Sequence, residues 1–266
     1  MDDPTQLRTV FDPGRTTPVT RRRVLLDLGE GRTTRADVVR PASADPDAAL
    51  PVVLFIPGDA PQFIMDGLLE WGQYRAWSEA VADRGFASIV AEHASTNELR
   101  DAVAVTAEIR DTLAAVRARA ADLRIDPARL LVWTASGGAS YGAIAALEAD
   151  PPVAALVIYY GLLDLRGYAE HLGTLDAESA AAVSAPVRAA RLASIPPTLL
   201  VTAGKDHPGM NATGELFAAA VEGKGDLRRL HHPDGQHAFD ILDDDAESAR
   251  IIADTLDFIA EHLGDA

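Results

Sequence analysis

Three polar residues in the second half of the chain have the types and contexts that acyl chemistry requires. Ser136 lies in the segment LLVWTASGGASYGAIAALEA (130–149), where an apolar run breaks at a serine and two glycines and continues as an alanine-rich helix. Asp206 follows a later apolar run, and His237 lies in a glycine-containing loop near the C-terminus. A serine hydroxyl is a weak nucleophile by itself and needs a general base that a third group orients. These residue types can supply all three parts.

The position of Ser136 between a buried strand and a helix predicts a tight turn that exposes its side chain. The glycines after it make such a turn feasible, and the helix N-terminus behind it favours developing negative charge. The backbone N–H of Gly137 would then point toward an oxyanion. The common signature is Gly-x-Ser-x-Gly, and Thr134 stands here at the first glycine position. Capping of the following helix is the alternative role for Ser136.

His237 is the candidate base among the seven histidines, because it lies on a loop between the last predicted strand and the terminal helix. His231 and His232 stand at the end of that strand and are expected to be surface or packing residues. Asp206 can accept a hydrogen bond from the imidazole, fix its tautomer and stabilise the imidazolium. Asp164 is the second candidate for the acid, and a turn or cap is the alternative role for Asp206.

Short apolar runs that alternate with helical patterns indicate an α/β fold, a mostly parallel sheet covered by helices on both faces. An antiparallel N-terminal hairpin is predicted at 19–28 and 33–39, and the later strands at 52–56, 86–90, 130–133, 153–160, 198–203 and 226–230. In such sheets ligands bind beyond the carboxyl ends of the strands, where Ser136 and Asp206 stand. We expect a single domain over 1–266, in which a polar, alanine-rich insertion at 166–194 forms a small lid.

Composition restricts the class of protein. The 266 residues are 48% hydrophobic, and no apolar run reaches the roughly 18 residues that a membrane span needs. A net charge of −16 disfavours nucleic acid as a partner, since counterion release needs clustered Lys and Arg. The absence of cysteine excludes cysteine nucleophiles and thiolate metal sites. The N-terminal residues lack the pattern of a secretory signal, so we expect a cytoplasmic location.

Five segments carry a resemblance to a known family. They are FIPGDA (55–60), WTASGG (133–138), YYGLLDL (159–165), TAGKD (202–206) and DGQHAFD (234–240). On these segments the chain resembles the α/β-hydrolase superfamily, in its dienelactone-hydrolase-like and esterase branch, over nearly its whole length. The resemblance implies the α/β-hydrolase fold, with Ser136 as nucleophile, Asp206 as acid and His237 as base. The chain order Ser, Asp, His is also that of this superfamily.

The same resemblance implies an oxyanion hole with two departures from the family pattern. One backbone N–H would come from Gly137, and the second from Asp59 or Ala60. Pro57 stands where many relatives have histidine, and Asp59 where many have glycine. A negative side chain at this turn would either weaken hydrolysis or signal a substrate with a cationic or hydroxylated group. Dienelactone hydrolases proper use a cysteine, so the resemblance describes the fold and not that activity.

These residues together predict an enzyme that cleaves a small or medium carboxylic ester, thioester or lactone through an acyl-enzyme, without metal or organic cofactor. Candidate walls of the substrate pocket are Phe63, Ile64, Met65, Tyr141, His207 and Met210. Two other hypotheses stay open: an acyltransferase or cyclase that uses the same residues, and a non-catalytic binding protein on this fold. We recognise no N-terminal propeller, which argues against an oligopeptidase. The expected partner is a small molecule, and a homodimer is left open.

Overall fold

An eight-stranded sheet forms the centre of the computed structural model, which describes residues 18–264. The strands are β1 (Val19–Gly29), β2 (Arg32–Pro41), β3 (Leu50–Ile56), β4 (Ala87–Ala91), β5 (Ile125–Ala135), β6 (Ala155–Tyr159), β7 (Thr198–Ala203) and β8 (Leu227–His232). Their order in the sheet is β1-β2-β4-β3-β5-β6-β7-β8. The pairs β1–β2 and β2–β4 are antiparallel, and all other neighbours are parallel. The predicted fold class is confirmed.

Helices cover both faces of this sheet. They are α1 (Gln62–Met65), α2 (Gly72–Asp83), α3 (Ala102–Ala118), α4 (Ala120–Leu123), α5 (Ala139–Leu147), α6 (Arg166–Leu172), α7 (Ala177–Ala182), α8 (Ala185–Ala189), α9 (Pro208–Val221), α10 (Phe239–Leu242) and α11 (Ala246–Leu263), with 3-10 turns at Leu68–Glu70 and Ser136–Gly138. One core lies between the sheet and α3, α5 and α9, and the other between the sheet and α2 and α11. Successive residues of β3, such as Leu54 and Phe55, enter opposite cores. Burial on both faces explains why the central strands are continuous apolar runs.

The parallel register brings the loops after the central strands to one edge of the sheet. Ile56 of β3 lies opposite Thr134 of β5, and Ala135 lies opposite Tyr159 of β6. The loop after each of these strands therefore starts at a similar height. β5 is longer than predicted, because it begins at Ile125, before an irregularity in its pairing with β3. Its end at Ala135 leaves Ser136 as the first residue beyond the strand.

Thr134, which replaces the first glycine of the common signature, fits because the next helix carries a glycine opposite it. A Cβ built on Gly142 of α5 would lie 2.5 Å from Thr134 Oγ1 and 2.7 Å from Thr134 Cβ. The Thr134 hydroxyl donates a hydrogen bond of 3.0 Å to the Gly138 carbonyl oxygen. The threonine side chain thus fills the space between β5 and α5 that a side chain at position 142 would otherwise take.

We expect Gly142→Ala to lower the free energy of unfolding by about 1–3 kcal/mol, because the added methyl group overlaps Thr134. Combination with Thr134→Gly, which creates the common signature, should cost less than the sum of the two single changes. Urea unfolding measures each value. Gly67→Ala is the control, since a methyl group there meets only the Ile64 carbonyl oxygen at 3.8 Å. If the two changes in the free energy of unfolding were strictly additive, the side chains at positions 134 and 142 would not compete for the same space.

Candidate active site

Ser136, His237 and Asp206 form one chain of hydrogen bonds. The Ser136 hydroxyl oxygen lies 2.8 Å from His237 Nε2. His237 Nδ1 lies 2.9 and 3.0 Å from the two carboxylate oxygens of Asp206. Because a carboxylate only accepts, the Nδ1 proton belongs to this bond and Nε2 is left to accept the serine proton. The three residues that the sequence singled out therefore have the geometry of a nucleophile, a base and an orienting acid.

The turn that carries Ser136 is held in a strained conformation by close backbone packing. Ser136 has a φ of +52°, a left-handed value that is uncommon for a residue with a side chain. A Cβ built on Gly138 would lie 1.9 Å from the Pro57 carbonyl oxygen, and one on Gly58 would lie 3.1 Å from Ser136 Cβ. The Ser136 carbonyl oxygen accepts a hydrogen bond of 3.0 Å from the Leu162 N–H. Only glycines permit the turn after β3 to come this close to the serine.

The same contact brings two backbone segments together where an oxyanion hole is predicted. A Cβ built on Gly137 would lie 3.3 Å from the backbone nitrogen of Asp59. Within residues 18–264, no hydrogen bond uses the N–H of Asp59. Asp59, Ala60 and Gly137 all line the cavity into which Ser136 opens. This arrangement favours Asp59 over Ala60 as the partner of Gly137, and the role of both N–H groups stays a prediction.

The Asp59 carboxylate is anchored on a neighbouring loop that the sequence did not indicate. It accepts a hydrogen bond of 3.1 Å from the Thr96 N–H and another from the Thr96 hydroxyl. Thr96 is fully buried, and the residues after it, Asn97 to Leu99, all have positive φ values. The position of the loop directly after β4, at the same edge of the sheet as Ser136, is the signal that could have indicated it.

A cavity of about 1210 Å³ opens over Ser136. Its lining includes Asp59, residues 95–99 and Asp101 of the loop after β4, the apolar side chains Leu162, Met210 and Leu216, and Tyr168 and His171 of α6. Ligand pockets usually measure about 300–1,000 Å³, so this one has room for more than a small acyl group. Leu162 and Leu216 were not indicated by the sequence, since nothing local shows which apolar residues of a loop or helix face a cavity.

The pocket residues predicted from the sequence divide into two groups. His207 and Met210 line the cavity, whereas Phe63, Ile64, Met65 and Tyr141 do not. Phe63 is 78% exposed, because the single turn of α1 directs its side chain to solvent and leaves Gln62 to line the cavity. Tyr141 is completely buried in α5, the helix that follows the serine. The expectation that Phe63 and Tyr141 form pocket walls is therefore corrected.

Asp164, the second candidate for the acid, lies outside the hydrogen-bonded chain. It accepts hydrogen bonds from the Arg166 guanidinium group and, at 2.9 Å, from the Ser184 hydroxyl. Burial disfavours its charged form, but the hydrogen bonds from Arg166 and Ser184 outweigh burial and hold the pKa of Asp164 below its ordinary value. Since Asp164 precedes α6 and Ser184 follows α7, this carboxylate ties the two ends of that helical pair together.

The segment at 166–194 is also fixed to the helix that follows the serine. It contains α6, α7 and α8. The buried hydroxyl of Ser140, in α5, lies 2.6 Å from the Val183 carbonyl oxygen and 3.0 Å from the Leu163 carbonyl oxygen. It also accepts a hydrogen bond of 3.0 Å from the Ala185 N–H. These bonds place the segment beside the cavity by a direct connection to α5.

The two histidines at the end of β8 take part in other contacts. His232 is buried, with Nε2 lying 3.0 Å from the Ser248 hydroxyl oxygen. His231 Nδ1 lies 2.9 Å from the Thr202 hydroxyl oxygen.

Among residues 18–264, no group of three or more His, Asp or Glu side chains forms a candidate metal site. No helix in that part of the chain is long and apolar enough to cross a membrane.

Several solved structures share this fold. An esterase from Thermogutta terrifontis, Est2 with propionate bound, has a TM-score of 0.73 and 18% identity, over 96% of this chain and 98% of that chain. A structure described as a bacterial heroin esterase has a TM-score of 0.72 and 20% identity, over 94% of this chain and 86% of that one. The Pyrobaculum calidifontis esterase has a TM-score of 0.72 and 18% identity, over 93% of this chain and 86% of that chain. No match was found among curated protein sequences.

Comparison with protein families identifies the family of this chain. The profile of Peptidase_S9, the prolyl oligopeptidase family, matches residues 74–266. This region runs from α2 to the C-terminus and contains Ser136, Asp206 and His237. The predicted relationship to α/β-hydrolases is confirmed. The dienelactone-hydrolase-like branch stays a prediction. The sequence disfavoured an oligopeptidase and did not indicate this family. The chain belongs to the prolyl oligopeptidase family, within the α/β-hydrolase superfamily.

Proposed function

We propose that this hydrolase cleaves small or medium carboxylic esters, thioesters or lactones, with Ser136 as nucleophile, His237 as general base and Asp206 as the acid that orients it. The observation that carries the proposal is the hydrogen-bonded chain from Ser136 through His237 to Asp206, at 2.8 and 2.9 Å, beside a cavity. The solved structures that share the fold are described as esterases, which supports an ester as substrate. The chemistry needs no cofactor.

The reaction proceeds in two halves. Ser136 Oγ attacks the carbonyl carbon while its proton passes to His237 Nε2, and the carbonyl oxygen becomes an oxyanion near the N–H groups of Gly137 and Asp59. The intermediate then collapses, the bond to the leaving oxygen or sulfur breaks, and His237 returns its proton to that atom. Water attacks the acyl-enzyme in the second half, again losing a proton to His237. Collapse of this second intermediate breaks the bond between the acyl carbon and Ser136 Oγ, which takes the proton back from His237 as the acid is released.

The anchoring of Asp59 makes its carboxylate compatible with this reaction. A free carboxylate beside the oxyanion would repel the negative charge that develops there. In this protein the carboxylate accepts hydrogen bonds from the N–H and the hydroxyl of Thr96, while the backbone N–H of Asp59 has no partner within residues 18–264. Asp59 therefore offers the N–H that the oxyanion needs and keeps its carboxylate bound to Thr96.

Access of water favours hydrolysis over acyl transfer or cyclisation. The His237 side chain is 37% exposed, so solvent reaches the base that must activate the second nucleophile. A transferase or cyclase gains by excluding water from the acyl-enzyme.

We further propose that the whole chain, 1–266, is one catalytic domain. Its segment at 166–194 is a small lid that limits the size of the substrate and is fixed through Ser140 and Asp164.

Turnover of p-nitrophenyl esters with increasing acyl length tests the proposal. Ser136→Ala should lower kcat by about 10³-fold or more, because the nucleophile is lost. Ser88→Ala is the matched control: Ser88 is a buried serine in β4 whose hydroxyl has no hydrogen-bond partner in the described part of the chain. We expect full activity in that variant. Equal turnover by Ser136→Ala and the wild type would exclude Ser136 as the nucleophile.

The charge of the cavity supports a further restriction on the substrate. Within the described part of the chain, four carboxylates line the cavity, and no Lys or Arg does. Two of the four, Asp59 and Asp101, have no ion pair with any residue in 18–264. A carboxylate on the substrate would meet repulsion there and lose hydration without a compensating cation. We therefore propose that uncharged esters are preferred over anionic ones.

A pair of esters that differ only in charge measures this preference. The p-nitrophenyl monoester of glutarate should have a kcat/KM at least about 10-fold below that of its uncharged methyl ester, because of repulsion by the lining carboxylates. Added salt should narrow the difference by screening, and Asp101→Asn should narrow it as well. Equal values for the two esters at low salt would contradict the preference while leaving the esterase proposal intact.

A further inference from the structure

A buried carboxylate behind His237 is not used by the reaction described above. Asp240, in α10, is completely buried and receives three hydrogen bonds. The Tyr160 hydroxyl donates at 2.7 Å, the Trp77 indole N–H at 2.8 Å, and the Gln73 side-chain N–H at 3.0 Å. Gln73 and Trp77 lie one turn apart on α2, and Tyr160 directly follows β6. Asp240 therefore joins three separate elements at one point.

Tyr160 connects this cluster to the candidate base. Its ring packs edge to face against the His237 imidazole, with 4.9 Å between the ring centroids. Its backbone is held in place as well, with a φ of +35° and a hydrogen bond of 2.8 Å from its N–H to the Val201 carbonyl oxygen. The Tyr160 ring can thus hold one side of the imidazole, while Asp206 binds Nδ1 and Ser136 lies at Nε2.

The backbone around His237 is constrained by the same region. Ala238 has a φ of +60°, and the chain makes a turn at His237 and Ala238. Phe239 is completely buried and stacks on Tyr159, with ring centroids 5.8 Å apart. Asp240 follows Phe239, so the loop that carries His237 is fixed by one apolar and one polar anchor within three residues of it. A displacement of this anchor would move the imidazole itself.

Burial makes this carboxylate costly for the fold. Removal from water raises the pKa of Asp240, and the hydrogen bonds from Tyr160, Trp77 and Gln73 oppose that change. The Tyr160 hydroxyl, buried beside this carboxylate, has a pKa raised well above its ordinary value and remains a proton donor. Replacement of either partner leaves buried donors or acceptors without a match. The matched donors therefore favour one arrangement of the cluster, as a rigid support requires.

We propose that Asp240 is a positioning residue for His237, acting through the Tyr160 ring to fix the orientation of the imidazole between Ser136 and Asp206. This inference rests on the proposed role of His237 as general base. Substrate does not reach Asp240, because its side chain is fully buried and is not part of the cavity lining. Its effect should therefore fall on the chemical step and not on substrate binding.

Steady-state kinetics with an uncharged p-nitrophenyl ester test the role of Asp240. Asp240→Asn keeps the shape but replaces one acceptor oxygen by a donor, which cannot match three incoming donors. We expect kcat to fall by about 10- to 100-fold, the effect of a small misplacement of a catalytic group, while KM changes less than about 3-fold. Asp37→Asn is the matched control, because Asp37 is a buried aspartate of β2 that binds Arg21 and Arg23, four strands away from β6.

Two variants of Tyr160 separate positioning from stability. Tyr160→Phe keeps the ring against His237 and removes the bond to Asp240, so kcat should fall by about 3- to 10-fold. Tyr160→Leu also removes the ring and should lower kcat at least as far as Asp240→Asn does. Circular dichroism and thermal unfolding establish the folded fraction of each variant, to which kcat is normalised.

The outcomes distinguish the two proposals. Wild-type kcat in folded Tyr160→Phe would overturn the positioning role, whether or not Asp240→Asn folds. A fall in kcat of Asp37→Asn equal to that of Asp240→Asn would also overturn it, because the effect would then belong to any buried aspartate. Absence of Ser136-dependent turnover in the wild type would instead refute the proposed function on which this inference rests.

Discussion

The backbone of the Ser136 turn and the backbone after β3 lie in contact, and the other features of the site depend on that contact. It exists because Gly58, Gly137 and Gly138 have no side chains; a Cβ on Gly138 would lie 1.9 Å from the Pro57 carbonyl oxygen. The left-handed φ of Ser136 costs about 1–2 kcal/mol relative to an ordinary conformation. In return, the serine hydroxyl reaches His237 while the N–H of Asp59 lies beside Gly137.

Carboxylates outside the Ser136–His237–Asp206 chain hold the surrounding elements in place. Asp59 accepts a hydrogen bond from Thr96 in the loop after β4, and Asp164, just before α6, accepts one from Ser184. Asp240 accepts hydrogen bonds from Tyr160, Trp77 and Gln73. In each case a hydroxyl group is one of the donors, and it belongs to a residue 20 or more positions away in the sequence. Asp164 and Asp240 are buried, and satisfied buried polar groups permit one arrangement where apolar packing would permit several. These contacts fix the elements around the candidate site to one another.

Local signals were enough to predict the sheet and to single out three side chains that the structure brings into one hydrogen-bonded chain. Their catalytic role stays a prediction. Ser136 stands at the end of an apolar run before two glycines, and His237 lies in a glycine-containing loop between two elements. The prediction that Phe63 and Tyr141 form pocket walls was wrong, because the direction of their side chains depends on a one-turn helix and on packing within α5. Thr96 and Asp240 were missed because their partners are 37 to 167 positions away, and composition and periodicity carry no information on such pairs.

Localisation of a covalent adduct tests the central claim most directly. The folded wild-type protein would be treated with a fluorophosphonate, and its intact mass and proteolytic peptides would be measured by mass spectrometry. A Ser136 activated by His237 predicts a single adduct, on the peptide that contains Ser136, and loss of that adduct in His237→Ala. An adduct on a different residue, or none on protein shown to be folded, would contradict the assignment of this serine as an activated nucleophile.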